Sequence, residues 1–141
     1  MNAHEEAIIR TFITPARRTR WLESLASAKR RPAMLDRLNH CQDLDERYAT
    51  LLPSNTDLVG LLRSRGAPNM CYVLSCTDGI DGSVLPLDEA VSATTSGGWG
   101  TIISCIPGRL AYYYDECGAR RMLLERAPTR QATAAKRRMR L

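Results

Sequence analysis

The sequence lacks the ligand patterns that most metal and cofactor sites require. Its 141 residues include only two histidines, His4 and His40, and five cysteines that form no C-x2-C pair. A structural zinc site normally takes four ligands in recognisable pairs, so this spacing disfavours one. The P-loop and the G-x-S-x-G turn are absent as well. We therefore expect no metal and no cofactor, and the same absences argue against an enzyme.

A catalytic thiol also lacks an evident base. His40 and Cys41 are adjacent in the sequence, but neighbouring side chains on a helix point in different directions. Nucleophilic catalysis needs the base within hydrogen-bond reach of the nucleophile. The pair therefore predicts no catalytic site.

Long apolar runs are missing too. The first residues, MNAHEEAIIRTF, carry two glutamates where a signal peptide would carry positive charge, and no apolar region follows them. Nowhere does an apolar stretch approach the roughly 18 residues that span a bilayer. The odd cysteine count gives no disulfide framework. These features predict a cytoplasmic protein without membrane association.

Acidic residues are absent from the end of the chain, and this absence explains the net charge of +5. Residues 126–141 hold six basic residues and no acid, whereas residues 39–125 hold eleven acids against six bases. The apolar content of 128–141 is too low to anchor it, so we predict a disordered basic tail there. Residues 1–127 are predicted to form a single α+β domain.

Helical signals dominate residues 4–40. Residues 4–13 place apolar side chains at helical spacing, and Thr14 followed by Pro15 is typical of a second helix start. Pro32 favours the start of a further helix, whose apolar side chains form another stripe. The segment therefore predicts two or three helices.

The middle of the chain, 44–126, mixes helices and strands. Residues 44–53 fit either a strand or a helical turn, and residues 54–66 predict a helix capped by Ser54 and ended by Gly66. Residues 69–76 are nearly all apolar, as in a buried strand.

Two further patterns complete the fold prediction. Pro86 begins a short helix that stops at Gly97-Gly98, and residues 99–125 form three strand candidates separated by turn residues. We therefore predict an α+β fold. N-terminal helices precede a mostly antiparallel sheet that ends in a three-stranded meander, with the helices on one face.

The stretch SCTDGIDGSVLPLDEA holds four acids, of which Asp88 and Glu89 fit the first turn of the helix after Pro86. Asp78 and Asp81 each precede a glycine, which is typical of turns. The same two carboxylates could instead bind a ligand, a partner or a metal, although the spacing of a calcium loop is absent.

Three consecutive tyrosines follow Arg109 on the second strand of the meander. Side chains alternate along a strand, so Tyr112 and Tyr114 share one face and Tyr113 takes the other. We predict that one of these faces presents rings to solvent, and Tyr and Arg are common in recognition surfaces.

The sequence thus predicts a small binding or regulatory module for a protein partner or small ligand. Its predicted surface joins Asp78 and Asp81 to Arg109 and the three tyrosines, Tyr112, Tyr113 and Tyr114. One alternative is an enzyme using Asp78 and Asp81 as metal ligands or acid and base groups. Another is non-specific nucleic-acid binding by the basic helices and tail, through Lys136, Arg137, Arg138 and Arg140. A homo-oligomer could form through an edge strand or the N-terminal helices.

Overall fold

A computed structural model of the protein describes residues 1–127. The predicted basic tail and its candidate nucleic-acid residues, Lys136, Arg137, Arg138 and Arg140, lie outside the described residues. The α-helices within 1–127 are α1 (Ala3–Phe12), α2 (Arg18–Ala26), α3 (Arg31–Asp36), α4 (Leu58–Ser64) and α5 (Leu87–Gly97). The strands are β1 (Ala49–Leu51), β2 (Met70–Ser75), β3 (Val84–Pro86), β4 (Thr101–Ile106), β5 (Leu110–Tyr114) and β6 (Arg121–Glu125).

All strand pairs are antiparallel, in the order β1-β6-β5-β4-β2-β3. The predicted meander is confirmed as β4, β5 and β6, and Gly108 supplies the positive φ (+71°) in its first turn. The α+β class with early helices is confirmed as well.

Local sequence signals account for the N-terminal helices. The Asn2 side chain caps α1 by accepting a hydrogen bond from the Glu5 backbone N–H. The buried residues Ile8, Ile9 and Phe12 then recur at helical spacing, so α1 presents one apolar face. Pro32 occupies the first turn of α3, where its missing N–H costs no hydrogen bond.

Helices cover both faces of the sheet, not one. Side chains from α1, α2 and α3 form a first core against Leu74, Ile102 and Tyr113. Those from α4 and α5 form a second core on the other face, against Val73 and Ile103. The expectation of a single helical layer was wrong because the short α4 and α5 cross to the face that the N-terminal helices leave open.

Two segments differ in detail from the prediction. Residues 44–53 contain both predicted alternatives, since a 3-10 turn at Glu46–Tyr48 leads directly into β1. Helix α4 begins after Asp57 rather than Ser54, because the Asp57 carboxylate accepts from the Gly60 N–H at 3.2 Å. Gly66 (φ +99°) follows the helix end as predicted.

Candidate binding site

An arginine at the start of α3 connects three parts of the fold. Arg31 donates to both carboxylate oxygens of Glu5, at 2.7 and 2.8 Å, and to Asp81 at 3.1 Å. Glu5 lies on α1, and Asp81 lies on the segment 76–83 between β2 and β3. The guanidinium therefore ties the helical layer to this segment with charge-assisted hydrogen bonds.

Glu5 is an acid on the buried face of α1, where only 3% of its surface is exposed. The Tyr72 hydroxyl of β2 donates to its second oxygen, and the His4 ring stacks on Tyr72 at 5.3 Å between centroids. Burial favours the neutral form of Glu5, but the hydrogen bonds from Arg31 and Tyr72 outweigh it and hold its pKa below the usual value. Burial and the Glu5 carboxylate raise the pKa of Tyr72 to about 12.

Asp81 anchors the segment after β2. Its Oδ1 accepts from the Ser75 N–H at 3.0 Å, while its carboxylate also pairs with Arg31. Gly82 has a φ of +78°, as the Asp-Gly pattern predicts, and its N–H returns to the Val73 carbonyl at 2.8 Å. Asp81 thus holds the backbone of this segment through the Ser75 N–H and connects the segment to α3 through Arg31.

Between α3 and this segment lies a groove of about 530 Å³, which we call the α3 groove. It is lined by Ala28, Arg31, Pro32, Ala33, Leu35, Asp36, Cys76, Asp78 and Asp81. Asp36 and Asp78 are exposed at the groove. The Cys76 thiol donates to Asp36 at 3.2 Å, and burial together with this carboxylate raises the pKa of Cys76, so the thiol stays protonated.

Of the residues predicted to share a surface, the structure brings together Asp78 and Asp81 only. Both line the α3 groove, which follows the Ser75 end of β2. Ser75 pairs with Thr101 at the start of β4, whereas Arg109 lies in the turn after the other end of β4. Arg109 is exposed but lies at the opposite end of that strand.

The tyrosines do not reach the surface. Tyr112 and Tyr114 pack in the second core and Tyr113 in the first, with 2%, 6% and 0% of their surfaces exposed. The alternation of faces is as predicted, but the prediction that one face shows rings to solvent was wrong. Helices cover both faces, and Tyr113 donates to the Leu38 carbonyl and accepts from the Cys41 N–H.

A second polar cluster lies where the segment after α3 meets the β5–β6 turn. Buried Asp115 accepts from the His40 and Glu116 N–H groups, and these hydrogen bonds overcome its burial to lower its pKa. The His40 ring nitrogens face the Asp115 and Glu116 carboxylates at 3.5 and 2.9 Å. Cys41, by contrast, is buried, and burial raises its pKa to about 11. The adjacent His40 and Cys41 therefore face different surroundings.

Sequence reasoning missed Glu5, Arg31, Asp36 and Cys76. Glu5 did leave a signal, because it shares helical spacing with Ile8, Ile9 and Phe12 and is thus a charge on an apolar face. Arg31 left none, because it lies within a run of basic residues and is separated by 26 and 50 positions from its partners.

The fold and the groove define the class of this protein, which is a small α+β protein with an acidic groove beside its sheet. Comparisons of the chain with protein-family models, curated proteins and solved structures found no match. Within residues 1–127, no helix has the length and apolar character needed to cross a membrane.

Proposed function

We propose that the protein acts by binding, as an interaction or regulatory module, and that the α3 groove receives a positively charged group. The group would be an amine or guanidinium carried by a protein partner or a small ligand. The observation that supports this proposal most directly is the pair of exposed carboxylates, Asp36 and Asp78, that line this groove.

The charge balance of the groove supports a cationic ligand. Among residues 1–127, Arg31 is the one basic residue that lines the groove, and Glu5 and Asp81 already match its charge. Asp36 and Asp78 form no ion pair with any residue of the described part of the chain. A cation placed between them would gain charge-assisted hydrogen bonds to both carboxylates.

The size and construction of the groove also suit this role. Its volume of about 530 Å³ falls within the range of small-molecule sites and would admit a lysine or arginine side chain. Asp81 and Arg31 hold the two walls in place, so the site is largely formed before a ligand arrives. Preformed walls reduce the entropy lost on binding.

The proposal can be tested by NMR titration of the ¹⁵N-labelled protein with spermidine and, separately, with a lysine-rich peptide. We expect shift changes centred on residues 28–36 and 76–81, and an affinity at least about tenfold weaker in an Asp36→Asn/Asp78→Asn variant, since hydrogen bonds to charged groups contribute about 1.5–3 kcal/mol each. The matched control is Asp88→Asn/Glu89→Gln, which neutralises two exposed acids of the first turn of α5. Equal weakening in both variants would count against the groove.

The alternatives drawn from the sequence have no specific observation in their favour within residues 1–127. For the enzyme, Asp81 is already bound by Arg31 and the Ser75 N–H, and no cluster of three histidine, cysteine or acidic residues able to hold a metal occurs in this part of the chain. Nucleic-acid binding would use the basic helices together with tail residues that lie outside this part of the chain. A homo-oligomer through an edge strand, β1 or β3, or through the N-terminal helices stays a prediction.

A further inference from the structure

Cys71 of β2 and Cys105 of β4 lie on neighbouring strands and do not line the α3 groove. Their side chains are on the face of the sheet opposite the N-terminal helices. Tyr72 of β2 pairs with Ser104 of β4. Cys71 and Cys105 are the next residues of these two strands, and Cys105 lies at a bulge in the pairing of β4 with β5. Both side chains belong to the second core, where 1% and 2% of their surfaces are exposed.

The geometry of such a pair suits a covalent bond. Residues directly opposite in an antiparallel ladder have Cα atoms about 4.5–5.5 Å apart. Disulfides join residues whose Cα atoms are about 4.4–6.8 Å apart, provided that the side chains point to the same side. Cys71 and Cys105 share a sheet face, and their positions next to the Tyr72–Ser104 pair bring the two strands to the separation of an antiparallel ladder. Cys41 lies in the first core across the sheet, so it does not compete for either thiol.

The two thiols also influence each other's ionisation. The hydrogen bond from Cys105 lowers the pKa of Cys71, whereas the hydrogen bond to Cys71 and burial raise that of Cys105. The thiolate is the form that reacts with oxidants, and the lowered pKa favours this form at Cys71.

We propose that Cys71 and Cys105 form an oxidisable dithiol, which a peroxide converts into an intramolecular disulfide between β2 and β4. The Cys71 thiolate attacks one peroxide oxygen, the O–O bond breaks, and with one proton taken up the products are a sulfenic acid and one water. The Cys105 thiol then attacks this sulfur, the S–O bond breaks, and the hydroxyl leaves with the thiol proton as a second water. Two thiols lose two electrons, and hydrogen peroxide gains them.

Access to the buried pair comes from the edge of the sheet. Cys71 pairs on its other side with Leu85 of β3, an edge strand of three residues. Short edge elements open locally at much lower free energy than the whole fold. Because β3 leads directly into α5, whose Leu87 packs in the same core as Cys71, transient opening of this edge gives an oxidant as small as hydrogen peroxide a route to the thiol.

Peptide mapping tests the proposal. Trypsin leaves residues 66–109 as one peptide that contains Cys71, Cys76 and Cys105, so the experiment uses a Cys76→Ser variant and a second cleavage before aspartates. The folded variant is treated with hydrogen peroxide, free thiols are alkylated in denaturant, and the digest is analysed by mass spectrometry. We expect loss of both thiols from alkylation and a linked pair of peptides, 66–77 and 88–109, which dithiothreitol separates.

A Cys76→Ser/Cys105→Ala variant is the matched control, and it should form no such link. The exposed Cys117 reports that the oxidant has acted. If Cys117 is oxidised while Cys71 and Cys105 both remain alkylatable, the proposal is overturned. A link that forms only after urea unfolding, or only between two chains on a non-reducing gel, overturns it as well.

Discussion

Arg31 and Glu5 form a two-point ion pair between α3 and the buried face of α1, with N–O distances of 2.7 and 2.8 Å. Such parallel contacts combine charge with fixed geometry, which a lysine could not reproduce. Because Arg31 also holds Asp81, the same side chain that neutralises a buried acid fixes one wall of the α3 groove. Arg31 therefore contributes both to the stability of the fold and to the shape of the candidate site.

Replacing Arg31 should destabilise the protein strongly. In Arg31→Met the Glu5 carboxylate stays buried without its counter-charge, and breaking a buried pair in this way costs about 3–5 kcal/mol. The measurement is the free energy of unfolding in urea. Arg30→Met is the matched control, since Arg30 is the exposed neighbour and its loss should change stability by no more than about 0.5 kcal/mol. Similar losses in the two variants would contradict the role given to the ion pair.

Acid should weaken the fold through Glu5. Its pKa in the folded protein lies below the ordinary value of 4.5, so ionised Glu5 stabilises the fold above that pH and the contribution disappears as the pH falls through the folded pKa. We expect Glu5→Gln to reduce the pH dependence of the unfolding free energy below about pH 4.5 by up to about 1.4 kcal/mol per pH unit. Urea titrations between pH 2 and 6 measure it, and an unchanged slope would contradict it.

Replacing Asp81 should lower the free energy of unfolding more than replacing Asp78, although both aspartates lie in the 76–83 segment. Asp81→Asn removes the charge paired with Arg31 and should cost about 1.5–3 kcal/mol. Asp78→Asn, at an exposed position, should change stability by about 0.5 kcal/mol or less. Both changes are measured by urea unfolding with and without Mg²⁺. A loss in Asp81→Asn that appears only with Mg²⁺ present would instead indicate a metal ligand.

Elements defined by local signals could be predicted from the sequence. The apolar spacing of α1, the turns at Pro107-Gly108 and Asp115–Gly118, and the alternation along β5 all depend on residues within a few positions of one another. The three-residue strand β3 was missed because its proline and its length resemble a loop, and only pairing with β2 makes it a strand.

The candidate site was only half predictable for a different reason. Asp78 and Asp81 stood out because they follow a buried strand, where loops often carry function. Their partner Arg31 comes from α3, and only the packing of that helix brings it near. The burial of Tyr112 and Tyr114 likewise depends on where α4 and α5 pack, which no pattern within β5 encodes.

We expect Tyr113 and Tyr114 of β5 to contribute differently to stability. Both are buried, but only the Tyr113 hydroxyl bonds to the Leu38 carbonyl and the Cys41 N–H. Tyr113→Phe leaves the Leu38 carbonyl and the Cys41 N–H without the hydroxyl that joins them, and unsatisfied buried groups cost about 1–3 kcal/mol. Tyr114→Phe removes a hydroxyl to which neither backbone group bonds, so its loss should be smaller. Urea unfolding of the two variants gives the comparison. If Tyr114→Phe proved the more damaging change, the Tyr113 hydroxyl would not be what fastens the segment after α3 to the sheet.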